Sequence, residues 1–118
     1  MKIIQFTASA LLILFFGNSY ANNKTEHYVF HYETGDTYDV VLTDNTITWT
    51  GLEGSDTGRS ETDVIKRKTL NHNTEVLQWT ENDLTFMTVV LDHRHLKVIA
   101  SGKLVDNSWL SYGRGEKK

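Results

Sequence analysis

The chain has no cysteine among its 118 residues, which excludes disulfides, thiolate metal ligands and lipid attachment through a cysteine. It has no Gly-rich phosphate loop, no internal repeat, no low-complexity tract and no linker-like stretch, so nothing divides it into several folding units. Charge of one sign is also scarce, with 12 basic against 15 acidic side chains. The only basic clusters are Lys66-Arg67-Lys68 and the tail from Arg114 to Lys118. Neither is interleaved with aromatics, so nucleic acid is excluded as the expected partner. The two clusters read as a solvated strand face and a frayed terminus.

One long apolar run is present, Ala8 to Phe16. It follows Lys2 and precedes Ser19-Tyr20-Ala21, which puts small residues where a signal peptidase reads. The run is too short and wrongly flanked for a spanning helix, so residues 1–21 are expected to be a cleaved signal peptide. The expected address is the periplasm, or the medium if the protein is released, with no membrane attachment after cleavage. Residues 22–118, 97 in number, then form one small domain.

Within that domain helical periodicity is missing, while β-branched and aromatic residues alternate with polar ones. Strands are expected near 27–33, 37–43, 46–52, 60–69, 74–81, 84–91, 95–101 and 104–112. Turn residues such as Thr34-Gly35-Asp36, Asp44-Asn45, Asn71-His72-Asn73 and Asn82-Asp83 separate them. Parity sorts Tyr28, Phe30, Tyr32, Tyr38, Val40, Leu42, Ile47, Trp49, Leu77, Trp79, Phe86, Thr88, Val90, Leu96, Val98 and Ala100 onto one inner face. About eight sequential strands with one apolar face predict an all-β fold, a small up-and-down antiparallel β-barrel, because closure removes exposed edges. A β-sandwich is the alternative. A barrel of this size can hold one small ligand.

Leu77, Trp79 and Glu81 share a strand face, which carries a carboxylate to the rim of an aromatic-lined space. There the charged form is disfavoured unless a cation offsets it, the setting of a proton donor or an acid-binding pocket. The competing reading ends the strand at Thr80 and leaves Glu81 in a solvated turn with Asn82 and Asp83.

Four segments in order, Val29-Phe30-His31-Tyr32-Glu33-Thr34-Gly35, Tyr38-Asp39-Val40, Thr57-Gly58-Arg59 and Gln78-Trp79-Thr80-Glu81, resemble the first half of bacterial phenolic acid decarboxylases. They are equally similar to the related MoaF-like domains. Both families are lipocalin-like (calycin) barrels, and the similarity runs from about Glu26 to Gly102. In the decarboxylases two first-strand tyrosines hold the substrate carboxylate, an arginine sits beside a glutamate that handles the proton, and no cofactor is used. By position the resemblance implies Tyr32, Arg59 and Glu81 for these roles. The first tyrosine falls on Phe30, which has no hydroxyl, and the chain stops short of a typical decarboxylase. By length it looks more like an isolated MoaF-like domain. The decarboxylases are dimers, so the resemblance leaves a homodimer open.

Two functions follow as expectations. The first is an exported barrel that binds a small aromatic or hydrophobic carboxylic acid. Arg59 and Tyr32 would take the acid group, with Tyr28, Phe30, Tyr38, Trp49, Trp79, Phe86 and Thr88 around the rest. The second is a cofactor-free carboxy-lyase with Glu81 as proton donor. A partner-binding barrel with a filled interior is a third. Whether the chain is an enzyme stays open at this point. No metal site is expected: His93 with His95, and His27 with His31, read as turn and outer-face residues, and zinc needs three or four convergent ligands.

Overall fold

A computed structural model describes residues 24–118 as nine antiparallel strands and no helix. The expected signal peptide, 1–21, lies outside the described residues. The strands are β1 (Glu26–Tyr32), β2 (Thr37–Leu42), β3 (Thr46–Glu53), β4 (Ser60–Val64), β5 (Lys66–Asn71), β6 (Thr74–Thr80), β7 (Phe86–Asp92), β8 (Lys97–Leu104) and β9 (Asn107–Lys117). They form one sheet in the order β4-β3-β2-β1-β9-β8-β7-β6-β5. The first strand pairs with the last, from Tyr32↔Gly113 to Tyr28↔Lys117, and the two ends of the sheet, β4 and β5, are neighbours in the chain. The sheet therefore curls into a nearly closed up-and-down barrel, as the alternation predicts.

The ninth strand arises because the segment expected at 60–69 is one ribbon that changes partners at Ile65. Its first half pairs with β3 and its second half with β6. Ile65 is buried at the step, and its N–H donates to the Asn45 carbonyl at 2.8 Å. Above the step β4 lies beside β6 with no ladder between them, so the barrel has a seam. A side-chain clamp bridges it, from the Asn82 N–H to Glu61 Oε2 at 2.8 Å.

Three further expectations are corrected. The tail is not frayed: β9 runs to Lys117 and supplies the closing ladder with β1. Arg67 does not lie on a solvated face but turns inward, with only 17% of its side chain exposed. In β7 the inner residues are Met87, Val89 and Leu91, while Phe86, Thr88 and Val90 face outward. The cause of the last is loop length. A two-residue turn at Asn82-Asp83 would pair Glu81 with Leu84. Instead Glu81 N–H donates to Thr85 O at 2.8 Å and Trp79 stands opposite Met87. One extra residue in a connection turns every later side chain to the other face.

The barrel is filled at one end and hollow at the other. Leu42, Leu77, Leu91, Val98 and the ring of Tyr28 are fully buried in the filled half. Its end is sealed by ions. Arg67 forms a two-pronged contact with Glu75 (Nε–Oε1 and Nη2–Oε2, both 2.8 Å), reaches Glu26 Oε2 at 3.2 Å, and donates to the Thr43 carbonyl at 2.9 Å. His93 Nε2 lies 2.6 Å from Glu75 Oε2.

At the hollow end, a bulge between Thr37 and Tyr38 leaves Leu52 as the extra residue of β3. The loop that follows folds back on Gly51, whose carbonyl accepts from Gly58 N at 2.9 Å and whose N–H donates to Arg59 O at 2.8 Å. A Cβ on Gly51 would run into the Asp56 backbone, so only glycine lets this loop seat Asp56 and Arg59 beside the opening.

Because Ile65 is buried at the strand switch, Ile65→Ala is expected to cost about 2–4 kcal/mol of unfolding free energy. Val64→Ala, one residue away but 79% exposed, should stay within about 0.5 kcal/mol. Urea titration of both variants checks the contrast; equal effects would mean that Ile65 does not anchor the step.

Candidate functional site

The hollow half encloses a cavity of about 510 Å³ that opens between the loops at one end of the barrel. Its walls are Phe30, Val40, Ile47, Trp49, Trp79, Met87, Val89 and Ala100, and its polar lining includes Tyr32, Asp36, Asp56, Arg59, Glu81 and Asp83. Tyr32, Arg59 and Glu81, from β1, the β3–β4 loop and the end of β6, therefore border one space. Phe30, Tyr38, Trp49 and Trp79 border it as well.

Tyr28, Phe86 and Thr88 do not, which corrects the expected ligand contacts. Tyr28 lies in the filled half, where its hydroxyl donates to Glu26 Oε1 at 2.8 Å. Phe86 is 44% exposed, and it lines an outer groove along the seam with Thr62, Val64 and Gln78. Thr88 also faces out, and its hydroxyl accepts from Gln78 Nε2 at 3.1 Å. Both outward positions follow from the one-residue difference in the 81–85 loop.

A ladder of rings runs along the wall to the opening. Tyr28 and Phe30 centroids are 5.7 Å apart, Phe30 and Tyr32 6.5 Å, Tyr32 and Tyr38 6.0 Å, Tyr38 and Trp49 5.9 Å, and the Arg59 guanidinium lies 5.4 Å over the Trp49 ring. The last three ring contacts are edge-on, the arrangement ring quadrupoles favour. Arg59 is half exposed. It bonds not to Glu81 but to Asp56, with Nη1 donating to Oδ1 at 2.6 Å. Asp56 also accepts from the Tyr38 hydroxyl at 2.6 Å. Asp56, three residues before Arg59, raises the guanidinium pKa above its usual value, so the group stays cationic at any working pH. Its Nε and Nη2 have no partner among the described residues, nor does the Tyr32 hydroxyl. Burial pushes that phenol's pKa up, so it stays protonated and able to donate.

Glu81 accepts from Trp79 Nε1 at 3.1 Å, and Asp63 on the inner face of β4 accepts from Trp49 Nε1 at 3.2 Å. Two indoles on neighbouring walls thus each hold a carboxylate. Burial pushes Glu81 up to about 7; the indole N–H opposes this, and the negative fields of Glu61, Asp83 and Asp63 add to it. Asp63 is raised to about 6 by burial and by its hydrogen bond to Glu61. Glu75, also buried, goes the other way: desolvation raises it, but Arg67 and His93 together outweigh that and hold it below the usual range. A cation makes the difference between the two ends.

Sequence reasoning missed Asp56, Asp63, Asp83 and Trp109. Asp63 had a signal, an acid at an inward position in a short strand. Trp109 lies on the inner face of β9 at the opening, its indole over Gly102 where no side chain competes for the space. Asp56 and Asp83 sit in loops, and only the loop shapes bring them to the cavity. At the sealed end Glu26, Glu75 and His93 each place one ligand atom within 4.8 Å of the others. The Arg67 guanidinium binds both of these carboxylates and supplies the positive charge there.

A carboxylic acid whose pKa rises on folding favours the protonated folded state, so its contribution is lost as pH rises from the ordinary 4.5 through about 7. Glu81→Gln is therefore expected to stabilise the protein by roughly 1–3 kcal/mol at pH 8, allowing for solvent screening, and to change little at pH 4. Thermal melts of both proteins at the two pH values test this, and a difference independent of pH would overturn it.

Three comparisons bear on kinship. No curated protein matches the sequence. Among solved structures, a Burkholderia vietnamiensis protein provisionally named a beta-lactamase superposes with a TM-score of 0.73 at 12% identity, over 86% of this chain and 97% of its own. That similarity shows the same fold and nothing about activity. The model of the MoaF C-terminal domain family matches residues 23–109. With most of its length covered and the barrel that the MoaF-like resemblance implied, the chain belongs to the MoaF C-terminal domain family.

Proposed function

We propose that this barrel binds a small molecule with an aromatic or otherwise apolar body and a carboxylic acid group. The observation that carries the reading is the 510 Å³ cavity, which falls in the size range of small-molecule sites. It combines apolar walls with uncommitted donors at one end. The free N–H groups of Arg59 and the Tyr32 hydroxyl can both donate to a carboxylate. Trp49, Trp79, Phe30 and Met87 would enclose the apolar part. The pattern of residues 1–21 supports action outside the cytoplasm, in the periplasm or beyond.

Glu81 makes such binding depend on protons. Protonated, its carboxyl is a third donor; ionised, it repels a ligand carboxylate. For a ligand bearing only an acid group, affinity is highest below about 7 and falls as pH rises through that value, by at most about tenfold per unit. A second reading, a cofactor-free carboxy-lyase, is favoured by one observation: a carboxyl that titrates near neutrality at the edge of an apolar cavity. On a 4-hydroxycinnamate, Glu81 would give its proton to the alkene carbon that bears the carboxylate. The bond to that carboxylate would then break, CO₂ would leave, and Glu81 would regain a proton from solvent. Phe30, without a hydroxyl, weighs towards binding alone.

Calorimetry with 4-hydroxycinnamate at pH 6, 7 and 8 tests both. Binding is expected, weakened on the order of 10-fold to 100-fold by Arg59→Ala, with a pH dependence that Glu81→Gln flattens. Loss of the substrate's ultraviolet absorbance, abolished in Glu81→Gln, would select the lyase. Absence of both binding and turnover across a panel of aromatic acids would end both readings.

A further inference from the structure

The charge around the cavity does not match a ligand that is only an acid. Four carboxylates line the cavity, Asp36, Asp56, Glu81 and Asp83, against the single cation Arg59. Glu61 and Asp63 of β4 add their fields at the seam side. Arg59 is already engaged by Asp56. The other carboxylates are held by uncharged donors: Trp79 Nε1 on Glu81, Thr85 N–H on Asp83 at 2.9 Å, and Ser55 N–H on Asp36 at 2.9 Å. At the sealed end of the same barrel, buried carboxylates meet Arg67 and His93. No guanidinium or imidazole bonds to Glu81 or Asp83; Arg59, bonded to Asp56, reaches them only through its field. A monoanionic ligand would add a further negative charge to this space.

The walls point the same way. Trp79 lies beside Glu81, Trp109 and Tyr38 border the opening, and indole and phenol faces attract cations. The chain's own cation uses this environment, since Arg59 lies over Trp49 and against Asp56. The Tyr32 hydroxyl, buried and unpartnered among the described residues, marks a polar position that a ligand can fill.

We propose that the ligand of this cavity carries an ammonium group, taken by Glu81 and Asp83 against the Trp79 ring, next to the acid group on Arg59 and Tyr32. This deepens the binding reading above and rests on it. The ligand class becomes a small aromatic or apolar zwitterion of amino-acid type. Arg59 lies close enough to Glu81 and Asp83 for their charges to act on it, so adjacent charges of a zwitterion can be met by adjacent groups of the rim. Ionised Glu81 is then the binding form. The groups that face it are Glu61 and Asp63 from β4, Asp83 from its own loop and Arg59 from the β3–β4 loop. Affinity for an ammonium ligand rises as pH increases through the range where Glu81 ionises, opposite to the sign for a simple acid.

The test uses three probes on one skeleton: 3-phenylpropanoate, phenethylamine and phenylalanine, titrated by calorimetry at pH 6 and pH 8. Phenylalanine is expected to bind at least about tenfold tighter than 3-phenylpropanoate at pH 8. That advantage should shrink at pH 6 and vanish in Glu81→Gln, with Asp83→Asn reducing it. Tighter binding of 3-phenylpropanoate than of phenylalanine at pH 8 would overturn this inference while leaving the acid-binding reading intact. Phenethylamine binding without 3-phenylpropanoate binding would keep the ammonium site and remove the acid end. Failure of all three probes in a protein that melts cooperatively would overturn both.

Discussion

The last strand carries glycine where the first carries aromatic rings, and the closure of the barrel depends on that match at Gly113. Tyr32 stands opposite Gly113 and Phe30 opposite Gly115. A Cβ at position 113 would lie 2.6 Å from the His31 carbonyl oxygen and 2.9 Å from the Tyr32 ring, so the ring and a side chain cannot share the space. At position 115 a Cβ would meet the Phe30 ring at 3.6 Å, an ordinary contact, so glycine is permissive there rather than required. Once β9 can lie against β1, the sheet has no free ends except β4 and β5, and the chain already joins these through Ile65. The aromatic ladder along β1 and β2 then faces inward as one wall of the cavity instead of an exposed stripe.

This dependence explains what was and was not legible in the sequence. In β1, β2, β3 and β6 the large apolar residues concentrate on one parity, as in Leu77 and Trp79 against Gln78 and Thr80, with only Val29, Val41, Leu52 and Val76 on the other, and the inner face could be read directly. In β7, Phe86, Met87, Val89, Val90 and Leu91 put apolar residues on both parities, so the face was decided by the length of the loop before it. Leu84 holds a positive φ of 77° in that loop, a conformation that no residue type there announces. The tail from Arg114 to Lys118 reads as coil because glycine and charge are poor strand formers alone; its strand character comes from the ladder waiting on β1. Arg67 reads as surface for a similar reason, since its partners lie outside its own strand, Glu75 across the hairpin and Thr43 and Glu26 in distant segments.

The convergence of three residues on one space was legible, and their bonding partners were not. Tyr32, Arg59 and Glu81 do border one cavity, but the expected meeting of guanidinium and carboxylate is replaced by Arg59 with Asp56. A partner three residues away costs little chain entropy to recruit, whereas Glu81 would have to be reached across the opening. The local pair wins, and it leaves Glu81 among carboxylates without a cation of its own.

The two ends of the barrel thus resolve the same problem, buried carboxylates, in opposite ways. Glu75 keeps its charge because Arg67 crosses the interior to it, with both prongs of the guanidinium engaged and a third donor on the Thr43 carbonyl. Such a group is costly to remove from one side only, since its partner would remain buried and charged. Glu81 and Asp63 have an indole each and negative neighbours, and they hold their protons to a higher pH instead. A carboxyl buried without a counter-ion lowers stability once it ionises, and an apolar residue of the same size would avoid that loss. An acid at the hollow end, where the cavity, the uncommitted N–H groups of Arg59 and the Tyr32 hydroxyl converge, therefore does not serve the fold, which accords with the proposed role in binding.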